Sequence, residues 1–126
     1  MSCMLLSINP DHVENILLGI KLYEFRRVRC KQDVDRLIIY STAPVKMVVA
    51  EAEIEEIIED DIETVWSLTG DYSGISYGCY ISYFHGKKKA VAYKLRNVQK
   101  YKEPKPLSDF GLSRAPQSFV YLGATA

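Results

Sequence analysis

One short stretch of the chain, residues 19–27 (GIKLYEFRR), carries three charged side chains that can converge on one surface: Lys21, Glu24 and Arg26. If this stretch is extended, Glu24 and Arg26 point to one face of a strand and its two aromatic side chains to the other. Lys21 lies at the entrance of the strand, where it can reach the same surface. Charges that converge in this way require mutual pairing or a charged ligand. The stretch therefore predicts a charged cleft.

The acidic and basic residues are equal in number, at 16 each, so the formal net charge is zero. A zero net charge argues against a protein that coats nucleic acid by bulk charge alone. The charges are nonetheless segregated, because eight acids fall within residues 51–63 and eight bases within residues 87–105. This pattern predicts either a folded basic face or ordinary solvated surface charge.

The length of 126 residues suffices to bury a core, and no linker-like tract interrupts it, so we expect a single domain over residues 1–126. Three widely spaced cysteines without a C-x-x-C pair indicate neither a zinc site nor disulfides. No leader-like segment or apolar run of roughly 20 residues is present. We expect a cytoplasmic protein with no membrane partner, no metal and no cofactor.

Apolar periodicity outlines the elements that must position these charges. Strands are predicted at residues 4–8, 21–26, 37–40, 48–54, 89–95 and 119–122, and helices from Pro10 to Gly19, after Asp61 and over residues 73–85. A loop is expected at residues 96–106. The helices are too few to alternate with strands in a doubly wound parallel sheet. We predict an α+β fold, a small mixed, mostly antiparallel β-barrel with flanking helices.

Two sets of side chains outside the charged stretch could take part in catalysis. The only histidines, His12 and His85, lie at a helix start and a helix end, where a surface or capping role is expected. Glu51, Glu53 and Glu55 alternate along one strand and form either a solvated face or a site for a divalent cation or general base. Of these, Glu51 is expected to reach a cleft.

Three other segments have the composition of nucleic-acid contacts. The lysines of residues 87–89 either bind phosphates or serve solubility. The aromatic residues within 77–84 either stack bases or form core. Residues 114–118 (RAPQS) either close their own hydrogen bonds or bind a ligand, since Arg114 can fork onto phosphate and Gln117 can read a base edge.

Residues 19–26 resemble the G-x-K-x-x-E-x-R motif of the ASCH domain, part of the PUA-like superfamily. The start LLSINP (residues 5–10) and the ending RAPQSFVY (residues 114–121) are similar to those of small stand-alone prokaryotic ASCH proteins. The resemblance spans residues 4–122. It implies a small β-barrel whose cleft, bordered by the motif, binds RNA or nucleotides, as in a transcription- or translation-linked regulator.

The motif match and the predicted topology together define a set of ligand-binding residues: Lys21, Glu24, Arg26, Tyr40, Ser41, Arg114, Gln117 and Ser118. The first three follow from the resemblance, and the other five from the topology. In this set the cations take phosphate, Glu24 holds Lys21 and Arg26, and an aromatic ring stacks on a base. Unpaired RNA is favoured, because proteins read RNA sequence mainly in unpaired bases.

The resemblance also includes an amidohydrolase that removes the acetyl group of N4-acetylcytidine with a lysine, a threonine three residues later and a glutamate. Lys21 matches the lysine, but Glu24 occupies the threonine position. A carboxylate beside a lysine forms an ion pair more readily than it supplies a nucleophile. An enzyme of this class would use Lys21, Glu24 and Glu51, with Ser41 or Thr42 as the hydroxyl.

Two further classes of function are compatible with the sequence. A protein-interaction module would recruit a partner through the acidic stretch at residues 51–63. A metal-dependent ribonuclease is less well supported, because acids do not cluster with histidine.

Overall fold

The computed structural model of the protein describes residues 2–122. Its strands are β1 (Cys3–Ile8), β2 (Tyr23–Arg26), β3 (Arg36–Ser41), β4 (Met47–Asp61), β5 (Lys89–Lys105) and β6 (Phe119–Leu122). Its helices are α1 (Pro10–Leu17), α2 (Ile62–Thr69) and α3 (Tyr77–Tyr83), with 3-10 turns at Gly70–Tyr72 and Leu107–Phe110. The order of elements is the predicted one.

The six strands form one curled sheet in the order β2-β5-β4-β3-β1-β6. The β1–β3 pair is parallel, and the other four pairs are antiparallel. The predicted α+β fold, a small mixed and mostly antiparallel barrel-like sheet with flanking helices, is confirmed. Strands β2 and β6 are the two edges of the sheet. The motif strand β2 therefore pairs through its backbone with β5, and it contacts the other end of the sheet through its side chains.

The sheet is apolar on both faces, which explains why its central strands are nearly uniform in hydrophobicity. On one face, Leu6, Leu37 and Tyr93 belong to a core that α1 covers through Val13 and Ile16. On the other face of β2 and β5, a second core packs beneath α2 and α3. It contains Phe25, Val65, Tyr80, Phe84 and Ala92. Most of the aromatic series at residues 77–84 therefore belongs to the core.

Three elements differ clearly from their predicted bounds. Strands β4 and β5 are 15 and 17 residues long, and the predicted loop at residues 96–106 is mostly strand. Strand β4 is interrupted by three register shifts, which break the alternation of apolar residues that would reveal it. Helix α3 begins at Tyr77, four residues later than predicted, because Gly74 adopts a left-handed φ of +71°.

Within residues 2–122, no helix combines the length and apolar character that crossing a membrane requires.

Candidate functional site

A cleft of about 570 Å3 opens where the end of β1, the start of α1, strand β2 and helix α3 meet. Its titratable lining residues are His12, Lys21, Glu24, Arg26, Cys79 and Tyr83. Apolar atoms come from Ile8, Phe25 and Ile75. The volume lies within the range of about 300–1,000 Å3 that is typical of small-ligand sites. The cleft thus combines an apolar lining with a few polar groups that converge on it.

Lys21 is buried in the wall of this cleft, with only 2% of its surface exposed. Its Nζ donates a hydrogen bond to the Ser73 carbonyl at 2.8 Å and lies 4.9 Å from the centroid of the Phe25 ring. Burial lowers the pKa of the Lys21 ammonium, Glu24 opposes this shift, and Arg26 adds to it. Because one of its three N–H donors is accounted for, Lys21 retains capacity to bind a ligand.

The turn at residues 70–76 can close over Lys21 because residue 74 is glycine. A Cβ atom at Gly74 would lie 2.7 Å from the Cβ of Lys21, and the φ of +71° already disfavours other residues. The turn is held further by a hydrogen bond from the Leu22 amide to the Tyr72 carbonyl at 2.8 Å. The position of Lys21 therefore depends on a segment about 50 residues away in sequence.

Glu24 and Arg26 form an ion pair that is mostly shielded from solvent, with side chains 7% and 12% exposed. The Arg26 Nε and Nη2 both donate to one Glu24 carboxylate oxygen, at 3.1 and 2.7 Å. Nη2 also donates to the Ser7 carbonyl at 2.9 Å, and Nη1 to the Ser118 Oγ at 3.1 Å. Arg26 thereby joins β2 to the end of β1 and to the segment before β6.

His12 lines the cleft from the first turn of α1 and is half-buried. Burial and then the charge of Lys21 lower its pKa below the ordinary 6.5, which favours a neutral imidazole. The sequence interpretation assigned His12 a surface or capping role. The sequence signal that places His12 here is Asn9-Pro10, which starts a helix. The Asn9 side chain accepts a hydrogen bond from the Asp11 amide, so α1 starts directly after β1 and beside the charged strand.

Helix α3 provides the wall of the cleft that sequence reasoning missed. Ser76 caps the helix, and Cys79, Ser82 and Tyr83 then face the cleft. The Tyr83 hydroxyl donates to the Phe25 carbonyl at 3.3 Å, and burial raises the pKa of this phenol. These contacts fix α3 against β2, so that the helix and the charged strand face each other across the opening.

The structure brings four of the eight predicted ligand-binding residues together at the cleft. Lys21, Glu24 and Arg26 line it, and Ser118 contacts Arg26 from the segment before β6. Two others lie nearby within β3, where Tyr40 and Ser41 pair with residues 7 and 8 of β1. Both are buried and neither lines the cleft. The side chain of Tyr40 packs instead in a third apolar cluster, with Leu5 and Val48.

The remaining predicted residues lie away from the cleft lining. Arg114 and Gln117 are exposed, because their segment is attached to β1 through its backbone. In that attachment, the Ser7 hydroxyl donates to the Pro116 carbonyl at 2.7 Å. Glu51 lies on β4 and pairs with Arg36 instead of reaching the cleft. The three residues proposed for an amidohydrolase are therefore not assembled in one place.

Within residues 2–122, no three histidine, cysteine or acidic side chains form a group suited to a metal ion.

Comparison with known families matches residues 20–112 to a domain of unknown function, DUF365. The chain is 36% identical over 122 residues to the ASCH domain-containing ribonuclease of Zymomonas mobilis, covering 93% of this chain and 82% of that protein. The crystal structure of ASCH from Zymomonas mobilis superposes with a TM-score of 0.87 and 33% identity. That superposition covers 96% of this chain and 87% of the other.

Two further relatives are similar over only a small part of their own length. The chain is 32% identical over 120 residues to ATP synthase subunit alpha of Ureaplasma parvum, but spans 15% of it. It is 36% identical over 87 residues to large ribosomal subunit protein uL22 of the same species, 28% of whose length it spans. The N-terminal domain of Staphylothermus marinus McrB shares the fold alone, with a TM-score of 0.52 at 13% identity.

Proposed function

The chain belongs to the ASCH domain family, and we propose that its cleft binds unpaired RNA. The Zymomonas relative, similar over nearly the whole chain, is named a ribonuclease, which favours RNA among nucleic-acid ligands. An unpaired nucleotide presents a flat base and a phosphate that a cleft of about 570 Å3 can accept together.

The observation that carries this proposal is the placement of Lys21 in the cleft wall. Lys21 is 2% exposed, and its ammonium group has N–H donors that residues 2–122 do not use. Such a cation is costly to bury without an anionic partner. The phosphate of a bound nucleotide is such a partner, and the partly exposed side chain of Ile75 in the cleft lining offers an apolar surface for the base. Glu24 is held by Arg26 and so does not cancel the charge of Lys21 through a direct ion pair.

Equilibrium binding of single-stranded RNA as a function of salt tests the proposal. We expect the affinity of the wild type to fall steeply as salt rises, and Lys21→Met to weaken binding about tenfold or more at moderate salt. Lys100→Met is the matched control, because Lys100 is an exposed lysine in the second half of β5. Equal affinities of the wild type and Lys21→Met would contradict the proposal.

A second candidate function, RNA cleavage in the same cleft, is favoured by His12. A neutral imidazole can take the proton of the ribose 2′-hydroxyl while its oxygen attacks the adjacent phosphorus. The bond from phosphorus to the 5′ oxygen then breaks, and that oxygen leaves with a proton from the surrounding water. Lys21 would stabilise the charge that develops on the phosphoryl oxygens. The products are a 2′,3′-cyclic phosphate and a 5′-hydroxyl.

Cleavage is tested with an end-labelled RNA and with the same RNA carrying 2′-deoxyribose at the cleaved position. We expect His12→Asn to reduce the cleavage rate by about 100-fold while leaving RNA binding nearly unchanged. The deoxy substitution should abolish cleavage at that position. Products with a 5′-phosphate would contradict this chemistry while leaving RNA binding intact.

The amidohydrolase alternative retains one supporting observation, the lowered pKa of Lys21, since a neutral amine can act as a base. Its proposed acid, Glu51, pairs with Arg36 on β4 and does not line the cleft. Release of acetate from N4-acetylcytidine by the wild type, lost in Lys21→Met, would support this alternative over RNA cleavage.

A further inference from the structure

Four exposed cations lie where β2 and α3 end, and together we call them the basic rim: Arg27, Lys87, Lys88 and Lys89. Arg27 is the member that touches the cleft wall. Its guanidinium lies 4.3 Å from the centroid of the Tyr83 ring, and its Nε donates to the Tyr83 carbonyl at 2.7 Å. Tyr83 in turn lines the cleft. One positive charge is thus fixed beside the opening.

The three lysines emerge at the same end of the molecule. The Lys87 amide donates to the Phe84 carbonyl at 2.9 Å, so the lysine turn follows the last turn of α3 directly. Strand β5 then begins at Lys89 and pairs antiparallel with β2, with Arg26 opposite Val91. This register brings the start of β5 alongside the residues that follow β2, where Arg27 lies.

The four side chains of the rim form no direct ion pairs within residues 2–122. Within the described part of the chain, no carboxylate lies within 4 Å of the charged atoms of these four side chains. Across the sheet, Asp61 lies opposite Lys89 in the register of β4 and β5. Its carboxylate accepts from the Thr64 amide and hydroxyl at the start of α2, at 2.9 and 2.7 Å, and it stays charged without forming a direct ion pair with Lys89.

We infer that the basic rim binds the phosphates of an RNA strand that leaves the cleft past Tyr83. This inference rests on the proposed RNA-binding function and extends its ligand from a single nucleotide to a longer unpaired strand. The rim is a group of exposed cations, which suits the phosphate backbone of a nucleic acid. It also gives a role to the lysine run at residues 87–89, which the cleft itself does not use.

The test compares two triple variants that remove the same charge at different places. The rim variant is Lys87→Gln/Lys88→Gln/Lys89→Gln. The control variant is Lys100→Gln/Lys102→Gln/Lys105→Gln, which alters three exposed lysines in the second half of β5. Each is titrated with a dinucleotide and with a single-stranded RNA several times longer, and the recovered RNA is checked for integrity.

We expect the rim variant to bind the long RNA about tenfold more weakly than the wild type, with a log–log salt dependence shallower by about 2. Its affinity for the dinucleotide, and the affinity of the control variant for both RNAs, should remain near the wild-type values. Retained long-RNA affinity, or equal losses in the two variants, would overturn the rim alone. Failure of the wild type to bind either RNA would overturn the proposed function and the rim together.

Discussion

Arg26 donates four hydrogen bonds within the protein, and this number limits what it can offer a ligand. A guanidinium has five N–H groups, of which Glu24 takes two and Ser7 and Ser118 take one each. Lys21 is different, because within residues 2–122 its ammonium donates a single hydrogen bond, to a backbone carbonyl. We therefore expect Lys21 to make most of the direct contact with a ligand. We expect Arg26 to position the strand that carries these two residues.

Removing Arg26 should therefore reduce stability more than a surface substitution does. Arg26→Met leaves the buried carboxylate of Glu24 without its partner, and we expect a loss of about 3 kcal/mol in the free energy of unfolding. Glu24→Leu/Arg26→Met removes both charges and should be more stable than Arg26→Met alone. Urea denaturation at neutral pH measures both. A double variant no more stable than the single one would show that the cost lies elsewhere.

The pH dependence of stability should carry the signature of His12. Burial, then Lys21, lower its folded-state pKa below 6.5, Glu24 and Asp11 oppose the shift, and Arg26 adds to it. Between the lowered pKa and 6.5, the unfolded chain therefore binds a proton that the folded chain does not. The full contribution of neutral His12 is present above 6.5, and stability falls as the pH drops through that window.

His12→Asn isolates this effect, because asparagine does not titrate. We expect the melting temperature of the wild type to fall more steeply than that of the variant between about pH 7 and about pH 5. Thermal denaturation followed by circular dichroism gives the difference between the two curves. Parallel curves over this range would contradict the lowered pKa.

At the scale of the elements, the turn at residues 70–76 controls the cleft from outside the charged strand. Gly74→Ala should displace the turn, because the new Cβ would lie 2.7 Å from the Cβ of Lys21. Gly86→Ala is the matched control, since Gly86 has a similar φ of +82° but nothing within 4 Å of the added atom. Both variants incur the left-handed backbone cost, and only Gly74→Ala adds a clash.

We expect Gly74→Ala to lose about 2 kcal/mol more stability than Gly86→Ala, and to weaken RNA binding as well. The first quantity comes from urea denaturation and the second from the RNA titration. Equal losses of stability and equal RNA affinities in the two variants would show that a Cβ atom fits between the turn and Lys21.

The elements also show where sequence reasoning succeeds and where it stops. The strand at residues 119–122 and the start of α1 follow from local signals, an apolar run and Asn9-Pro10, and both are confirmed. The second halves of β4 and β5 carry many charges and give little apolar signal. The second half of β4 pairs with the first half of β5, where Lys94 and Glu55 form an ion pair at 2.8 Å, and the second half of β5 pairs with the first half of β4. Only the register reveals these pairings.

The same distinction applies to the site at the scale of the whole molecule. Lys21, Glu24 and Arg26 are close in sequence, so one motif predicts them together. His12 and Tyr83 join them only because α1 and α3, which are about 60 residues apart in sequence, both pack on the curled sheet. Asn9-Pro10 marks where α1 starts, but no local pattern encodes how the two helices pack on the sheet.

The segregated charges of the molecule compensate each other across the sheet. Glu51, Glu53 and Glu55 pair with three bases, Arg36, Arg96 and Lys94 respectively. These carboxylates are therefore less available to a protein partner than the acidic stretch at residues 51–63 suggested. They also reduce the attraction of the sheet for RNA, because each neutralises a neighbouring cation.

Neutralising these acids should strengthen RNA binding at low salt. Glu51→Gln/Glu53→Gln/Glu55→Gln leaves 16 bases against 13 acids and releases the three bases that the acids hold. A control with the same net charge, Asp33→Asn/Glu103→Gln/Asp109→Asn, alters exposed acids that form no ion pair with any of residues 2–122. We expect the first variant to gain more RNA affinity than the control. Both variants raise the net charge equally, but only the first also frees three cations from their ion pairs.

Both gains should vanish as rising salt shortens the screening length to a few ångströms, about 3 Å at 1 M. RNA titrations at low and high salt, with Lys21→Met added to each variant, measure this. Because the added attraction acts outside the cleft, Lys21→Met should weaken RNA binding by a similar factor in every background. An effect of Lys21 that disappears in the neutralised variant would show instead that the acids on β4 and the cleft act on the same part of the RNA.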